Sequence, residues 1–206
     1  MKGKVMNKKS VLMLATLVLF SISSNAIEPI KGTKRFRPVL DGVLYFGGGN
    51  QLKQRDNRNP LLNSTLDRMC GAGFSEAIYV YERNKSKMRR NTSCGAGSLK
   101  YDSISWLKID QFMGRIHNNI VTQKGPMYIH CFNGVHASNA ISVIAKMQFC
   151  GLSSKDAEKL WLTQTDDYGR KEYAKGKFNS VRKRIKRYKF NPNLSIPDSI
   201  KNQICN

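Results

Sequence analysis

The segment MYIHCFNGVHAS, residues 127–138, passes from an apolar stretch through a glycine-containing turn and directly into a stretch with helical spacing. Residues 127–130 predict a short buried strand, and the apolar positions over 137–149 predict a helix with Gly151 at its C-cap. A strand entering a helix through a tight loop leaves backbone N–H groups unpaired at the positive end of the helix dipole. Such a junction seats a phosphate dianion. Phe132, Asn133, Gly134, Val135, His136 and Ala137 would line the seat. The same field stabilises a thiolate, which makes Cys131 a candidate nucleophile at neutral pH.

Outward from this junction the pattern alternates between strand and helix, which predicts an α/β fold with a small central sheet flanked by helices. Residues 42–46 and 77–80 predict strands, 62–69 a helix, and Gly47-Gly48-Gly49 a turn. Trp106, Ile109, Phe112, Met113, Ile116 and Ile120 predict a helix over 106–121, stopped by Lys124-Gly125-Pro126. Ser153 or Ser154 caps the next helix, which carries Leu160 and Trp161. A last basic helix is expected over 171–189, with Asn191-Pro192 ending it.

The first 26 residues predict an export signal rather than structure. Lys2, Lys4, Lys8 and Lys9 precede the apolar run 11–20, and Ser24-Asn25-Ala26 offers a cut. That run alone is too short for a membrane helix, which needs roughly 20 apolar residues, so an anchor would require residues 21–26 as well. Residues 27–206 are expected to form one domain in a periplasmic or secreted protein, and to be monomeric. Removing four lysines lowers the net charge from +21 to +17. A chain this basic favours an anionic partner: a phosphorylated substrate, nucleic acid or an acidic surface. The densest run includes Arg182, Lys183, Arg184, Lys186 and Arg187, which could bind such a partner or form a solvated helix face.

All five cysteines lie beyond the cut, where disulfides form. Cys70 and Cys94 each open a Cys-Gly-Ala-Gly string on either side of the strand near residue 78, and we expect them to pair. Cys150 with Cys205 is the second expected pair, leaving Cys131 free. Five is an odd number, so one thiol stays unpaired within a monomer.

The string HCFNGVHAS resembles the signature of the protein tyrosine and dual-specificity phosphatases: His-Cys, five residues, Arg, then Ser or Thr. His130, Cys131, Gly134 and Ser138 occupy matching positions, whereas the arginine position holds Ala137. The order of elements over 39–188 is similar to the compact dual-specificity branch. The resemblance implies that Cys131 attacks phosphorus to form a cysteinyl-phosphate, that His130 orients the loop, and that Ser138 assists breakdown of the intermediate. It also implies a general acid, for which Asp102 stands 29 positions before Cys131, with Asp110 as the alternative. Gln164 is faintly similar to the glutamine that positions hydrolytic water in larger family members. The implied substrate is a phosphorylated protein or another phosphate monoester, with no cofactor and no metal.

Ala137 cannot grip two phosphate oxygens as a guanidinium does. Two functions therefore stand side by side: a phosphatase, and a catalytically impaired relative that binds phosphorylated or other anionic partners. Ligation of a metal by His130, Cys131 and His136 lacks a visible fourth ligand. A cysteine hydrolase would have only His117 as a distant base.

Overall fold

The computed structural model describes residues 27–49, 59–82, 88–95, 97–165, 170, 171, 174, 176 and 178–205; the expected export signal lies outside the described residues. Six strands form one sheet: β1 (Lys34–Leu40), β2 (Leu44–Gly48), β3 (Glu76–Tyr79), β4 (Asn91–Cys94), β5 (Gly97–Ser103) and β6 (Met127–Cys131). Their order is β1-β2-β6-β3-β5-β4. β6 runs parallel to both β2 and β3, and every one of its residues is buried, as expected for a central strand with helices on both faces. The outer strands β1 and β4 pair antiparallel with their neighbours.

Parallel neighbours require crossovers, and helices supply them. α1 (Asn63–Gly71) joins β2 to β3, and α2 (Ile109–Thr122) joins β5 to β6. α3 (Ala137–Cys150), α4 (Ser154–Thr163), α5 (Asn179–Arg187) and α6 (Asp198–Ile204) follow. Strand alternation divides the core in two. Phe46, Ile78 and Ile129 pack with Phe112, Met113, Ile144 and Trp161 on one face, while Tyr45, Ala77, Tyr79 and Tyr128 pack with Leu66, Met69 and Phe74 on the other. Among the described residues no helix is long and apolar enough to cross a membrane.

The caps agree with local chemistry. Gly151 ends α3 at φ 74°, and the Ser153 hydroxyl accepts the Asp156 N–H at 3.1 Å to start α4. Both expected cysteine pairs lie at disulfide distance, with Cα separations of 5.8 Å for Cys70–Cys94 and 5.6 Å for Cys150–Cys205. The first fastens the end of α1 to the edge strand β4, and the second fastens the end of α3 to the chain terminus. Cys131 is free and buried.

Two expectations need correction. Gly47 and Gly48 belong to β2 rather than to a turn. The expected basic helix over 171–189 is not continuous: its last part is α5, entered through Phe178 in the left-handed region at φ 69°, and three of its charges are engaged in packing. Arg182 and Lys186 both pair with Glu158 of α4, while the Arg184 guanidinium lies 4.9 Å over the Trp106 ring and donates to the Leu107 carbonyl at 3.1 Å.

Candidate active site

The loop between β6 and α3 is built by close approach of two backbones. Gly48 of β2 bridges to Asn133, and the Gly49 N–H donates to the Cys131 carbonyl at 2.9 Å. A Cβ on Gly48 would lie 2.7 Å from the Asn133 carbonyl carbon. Gly134 has φ +70°, and a Cβ there would lie 2.6 Å from backbone atoms of Gly47 and Gly48. Only hydrogen side chains fit at both places. Tyr128 completes the seam by donating to the Gly48 carbonyl at 2.8 Å.

This packing holds the Cys131 sulfur at the start of the loop, 2% exposed and beneath two donors. The Gly134 N–H reaches Sγ at 3.2 Å. The Ser138 hydroxyl lies 3.2 Å from Sγ and 2.9 Å from the Gly47 carbonyl. With one proton, that hydroxyl serves the sulfur or the carbonyl at any moment, and a thiolate is the stronger acceptor. The loop then feeds into α3, a fourteen-residue helix whose first N–H groups have no partners within the helix.

His130 points to the opposite face of β6. It stacks on Tyr79 at 4.9 Å, and its Nε2 lies 2.7 Å from the Tyr101 hydroxyl. The Leu61 N–H donates to that same hydroxyl at 2.8 Å, and His130 Nδ1 lies 3.3 Å from the Cys131 carbonyl. Hydrogen bonds can therefore run one way, from Leu61 N–H to the tyrosine oxygen, from its O–H to Nε2, and from Nδ1–H to Cys131. Burial lowers the His130 pKa to about 3, against the partial opposition of its bond to Cys131. Burial also raises the Tyr101 phenol. His130 is thus a neutral buttress for the strand that carries Cys131.

Because the unfolded histidine titrates near 6.5 and the folded one near 3, the unfolded chain binds the extra proton between those values. The stability His130 contributes is complete above pH 6.5 and is lost as pH falls toward 3. From pH 7 to pH 5 the expected loss is about 2 kcal/mol. Urea unfolding at the two pH values tests this: His130→Gln should show a flatter change than the wild type, whatever its absolute stability.

The remaining sequence candidates are distributed unevenly. His136 stacks on Phe178 with ring centroids 3.7 Å apart, and its carbonyl accepts from the Trp161 indole at 3.4 Å. This residue anchors α4 and the start of α5 to the loop. Phe132 packs on Tyr81 at 4.4 Å, and Val135 and Ala137 are buried. Gln164 is the C-cap of α4, with a buried Oε1 that has no hydrogen-bond partner among the described residues.

Asp102 is not brought to the loop, and its expected position must be corrected. It lies within β5 opposite Ile78, itself opposite Ile129, which places it two strands and about 10 Å across the sheet. Its carboxylate binds Arg115 at 2.8 Å and the Ser103 N–H at 2.7 Å, and Arg115 also pairs with Glu76. Asp110 lies in the first turn of α2, beside Lys183 and Arg187 of α5.

His117 stacks on Phe149, twelve residues beyond the start of α3 and therefore about 18 Å along that helix from the loop. No Cys131–His117 pair forms. His130 and Cys131 project from opposite faces of one strand, and among the described residues no three His, Cys, Asp or Glu side chains converge.

Sequence reasoning missed Tyr101, Arg35 and Phe178 as parts of this site. Arg35 Nη1 donates to the Asn133 carbonyl at 2.9 Å.

No protein-family model and no curated protein matches the sequence. Among solved structures the chain is similar to Tk-PTP in its active form, at 16% identity and a TM-score of 0.40, covering 68% of this chain and 97% of that one. It is similar to PTPMT1 at 14% identity and a TM-score of 0.45, covering 73% and 95%. It is also similar to P. aeruginosa TpbA in complex with pTyr, at 9% identity and a TM-score of 0.43, covering 79% and 95%.

Proposed function

We propose that this chain is an exported cysteine-dependent phosphatase that hydrolyses phosphate monoesters through Cys131. The observation that carries the reading is a free sulfur held under the Gly134 N–H and the Ser138 hydroxyl, where the strand turns into a helix N-terminus. In the first step the Cys131 thiolate attacks phosphorus, an S–P bond forms, and the ester P–O bond breaks. Loop N–H groups and the α3 dipole balance the charge on the phosphoryl oxygens. In the second step water attacks phosphorus, the S–P bond breaks, and inorganic phosphate leaves. The Ser138 proton stabilises the departing thiolate. The basic surface raises the local concentration of an anionic substrate.

An activated aryl phosphate is the appropriate first substrate, because its phenolate departs without a proton from the protein. The mature chain, residues 27–206, is expected to release phosphate from it, and Cys131→Ser is expected to abolish release. Retention of turnover in the serine variant would overturn the reading.

Ala137 favours a second reading, an anion-binding module without turnover. It predicts that inorganic phosphate protects Cys131 from alkylation while no ester is cleaved.

A further inference from the structure

Arg35 breaks two local rules. It is a non-glycine residue in the left-handed region, at φ 52°, and it sits in an irregular stretch of β1 where the register with β2 shifts between Lys34 and Arg37. Left-handed backbone in such a residue is strained and persists where the surroundings impose it. Irregularities of this kind re-aim side chains, often beside active sites. Here the surroundings are the same glycine seam that shapes the loop: a Cβ on Gly47 would lie 2.7 Å from the Lys34 carbonyl and 3.1 Å from that of Arg35. The re-aimed side chain crosses to the loop, where Nη1 meets the Asn133 carbonyl at 2.9 Å.

The carbonyl of Asn133 and the N–H of Gly134 belong to one peptide unit. That N–H is the donor to the Cys131 sulfur at 3.2 Å. The structure therefore contains a continuous line from the guanidinium to the carbonyl, through the peptide, and from the N–H to the sulfur. A cation on a carbonyl oxygen draws electron density from the amide and strengthens its N–H as a donor, and hydrogen bonds in series polarise one another in this way. Charge-assisted hydrogen bonds are also roughly twice as strong as neutral ones.

We propose that Arg35 is a positioning residue that acts through the Asn133–Gly134 peptide to stabilise the Cys131 thiolate and to hold that N–H toward the bound anion. The loop has no arginine of its own, so a cation supplied from β1, outside the loop, offsets part of that loss. The proposal deepens the phosphatase reading and rests on it for its catalytic meaning, but the thiol itself can be read without turnover.

The measurement is the rate of iodoacetamide alkylation of Cys131 at neutral pH, with thiolate ultraviolet absorbance beside it, in four proteins: wild type, Arg35→Lys, Arg35→Gln and Arg35→Gly. Glycine accepts the left-handed backbone without strain, so Arg35→Gly removes the side chain while relieving the fold. The expected result is alkylation slowed about tenfold in Arg35→Gly and in Arg35→Gln, with Arg35→Lys close to the wild type. Thiolate absorbance should fall in the same order. Rescue by lysine but not by glutamine identifies the charge, a distinction that a merely structural role would not produce.

Equal alkylation rates in all four proteins would overturn the proposal, as would slowing in Arg35→Lys as severe as in Arg35→Gly. Aryl phosphate hydrolysis, measured in parallel, separates the two claims. Alkylation slowed in Arg35→Gly and Arg35→Gln, with a wild type that never cleaves ester, keeps the relay and removes the phosphatase reading. Unchanged alkylation alongside Cys131-dependent cleavage does the reverse.

Discussion

Ala137→Arg is expected to raise kcat/KM for an aryl phosphate by about a hundredfold to a thousandfold, which is the usual effect of one preorganised donor to a developing oxyanion. Position 137 is the first residue of α3, directly after the loop, where a side chain can reach the anion seat without disturbing the helix ladder. A guanidinium there would grip two phosphoryl oxygens in parallel. Its grip tightens as the oxygens of the transferring group spread, so the gain should fall mainly on kcat rather than KM. The opposing term is burial: Ala137 is 3% exposed and packs in the main core. The aliphatic stem of arginine can cover apolar neighbours while its head emerges into the loop. Steady-state kinetics of the variant, with Ala137→Arg/Cys131→Ser as the blank, tests this. A folded variant with no gain would mean that the loop does not present its substrate to this position, and the binding-module reading would take precedence.

How much of this was legible in the sequence depended on how local each interaction is. The β6–loop–α3 junction was readable because a strand, a turn glycine and a helix start are decided by neighbours along the chain. The Ser153 cap and the Gly151 stop are of the same kind. Gly47 and Gly48 belong to a strand rather than to the expected turn because their purpose is a contact far away in sequence. The Ser138 hydroxyl that reaches the Gly47 carbonyl is 91 residues distant, and Tyr128 reaches Gly48 across 80. The signal was present, since three successive glycines exceed what one turn needs, but their partner was not deducible.

Asp102 illustrates a different failure. Counting back from Cys131 located an aspartate, whereas the alternation around it gave its setting: Leu99, Tyr101 and Ser103 are buried, and Lys100 between them is exposed. That period of two marks a strand, and a carboxylate within a strand is held by whatever packs on that face, here Arg115. β1 escaped notice because Pro38 and three cations interrupt its apolar pattern, a pattern suited to a sheet edge. The run at 182–187 announced charge but not its destination, since Glu158 and Trp106 are brought to it only by the fold.

Removing the Cys150–Cys205 bridge as Cys150→Ala/Cys205→Ala is expected to cost about 4 kcal/mol, because it closes a loop whose ends are 55 residues apart. The 24-residue separation of Cys70 and Cys94 corresponds to about 3.5 kcal/mol. Against a total stability of about 5–15 kcal/mol for an ordinary domain, loss of both removes half of the folded margin or more. The two bridges also bear on the proposed chemistry. With the other four cysteines paired, Cys131 is the only free thiol of the chain, and an oxidising compartment offers it no intramolecular partner. Urea unfolding of the oxidised, singly bridged and fully reduced forms tests the first point, with the unfolding midpoint expected to fall at each step and furthest in the bridge-free form. Full stability after reduction would contradict it and would remove the main physical reason for expecting export.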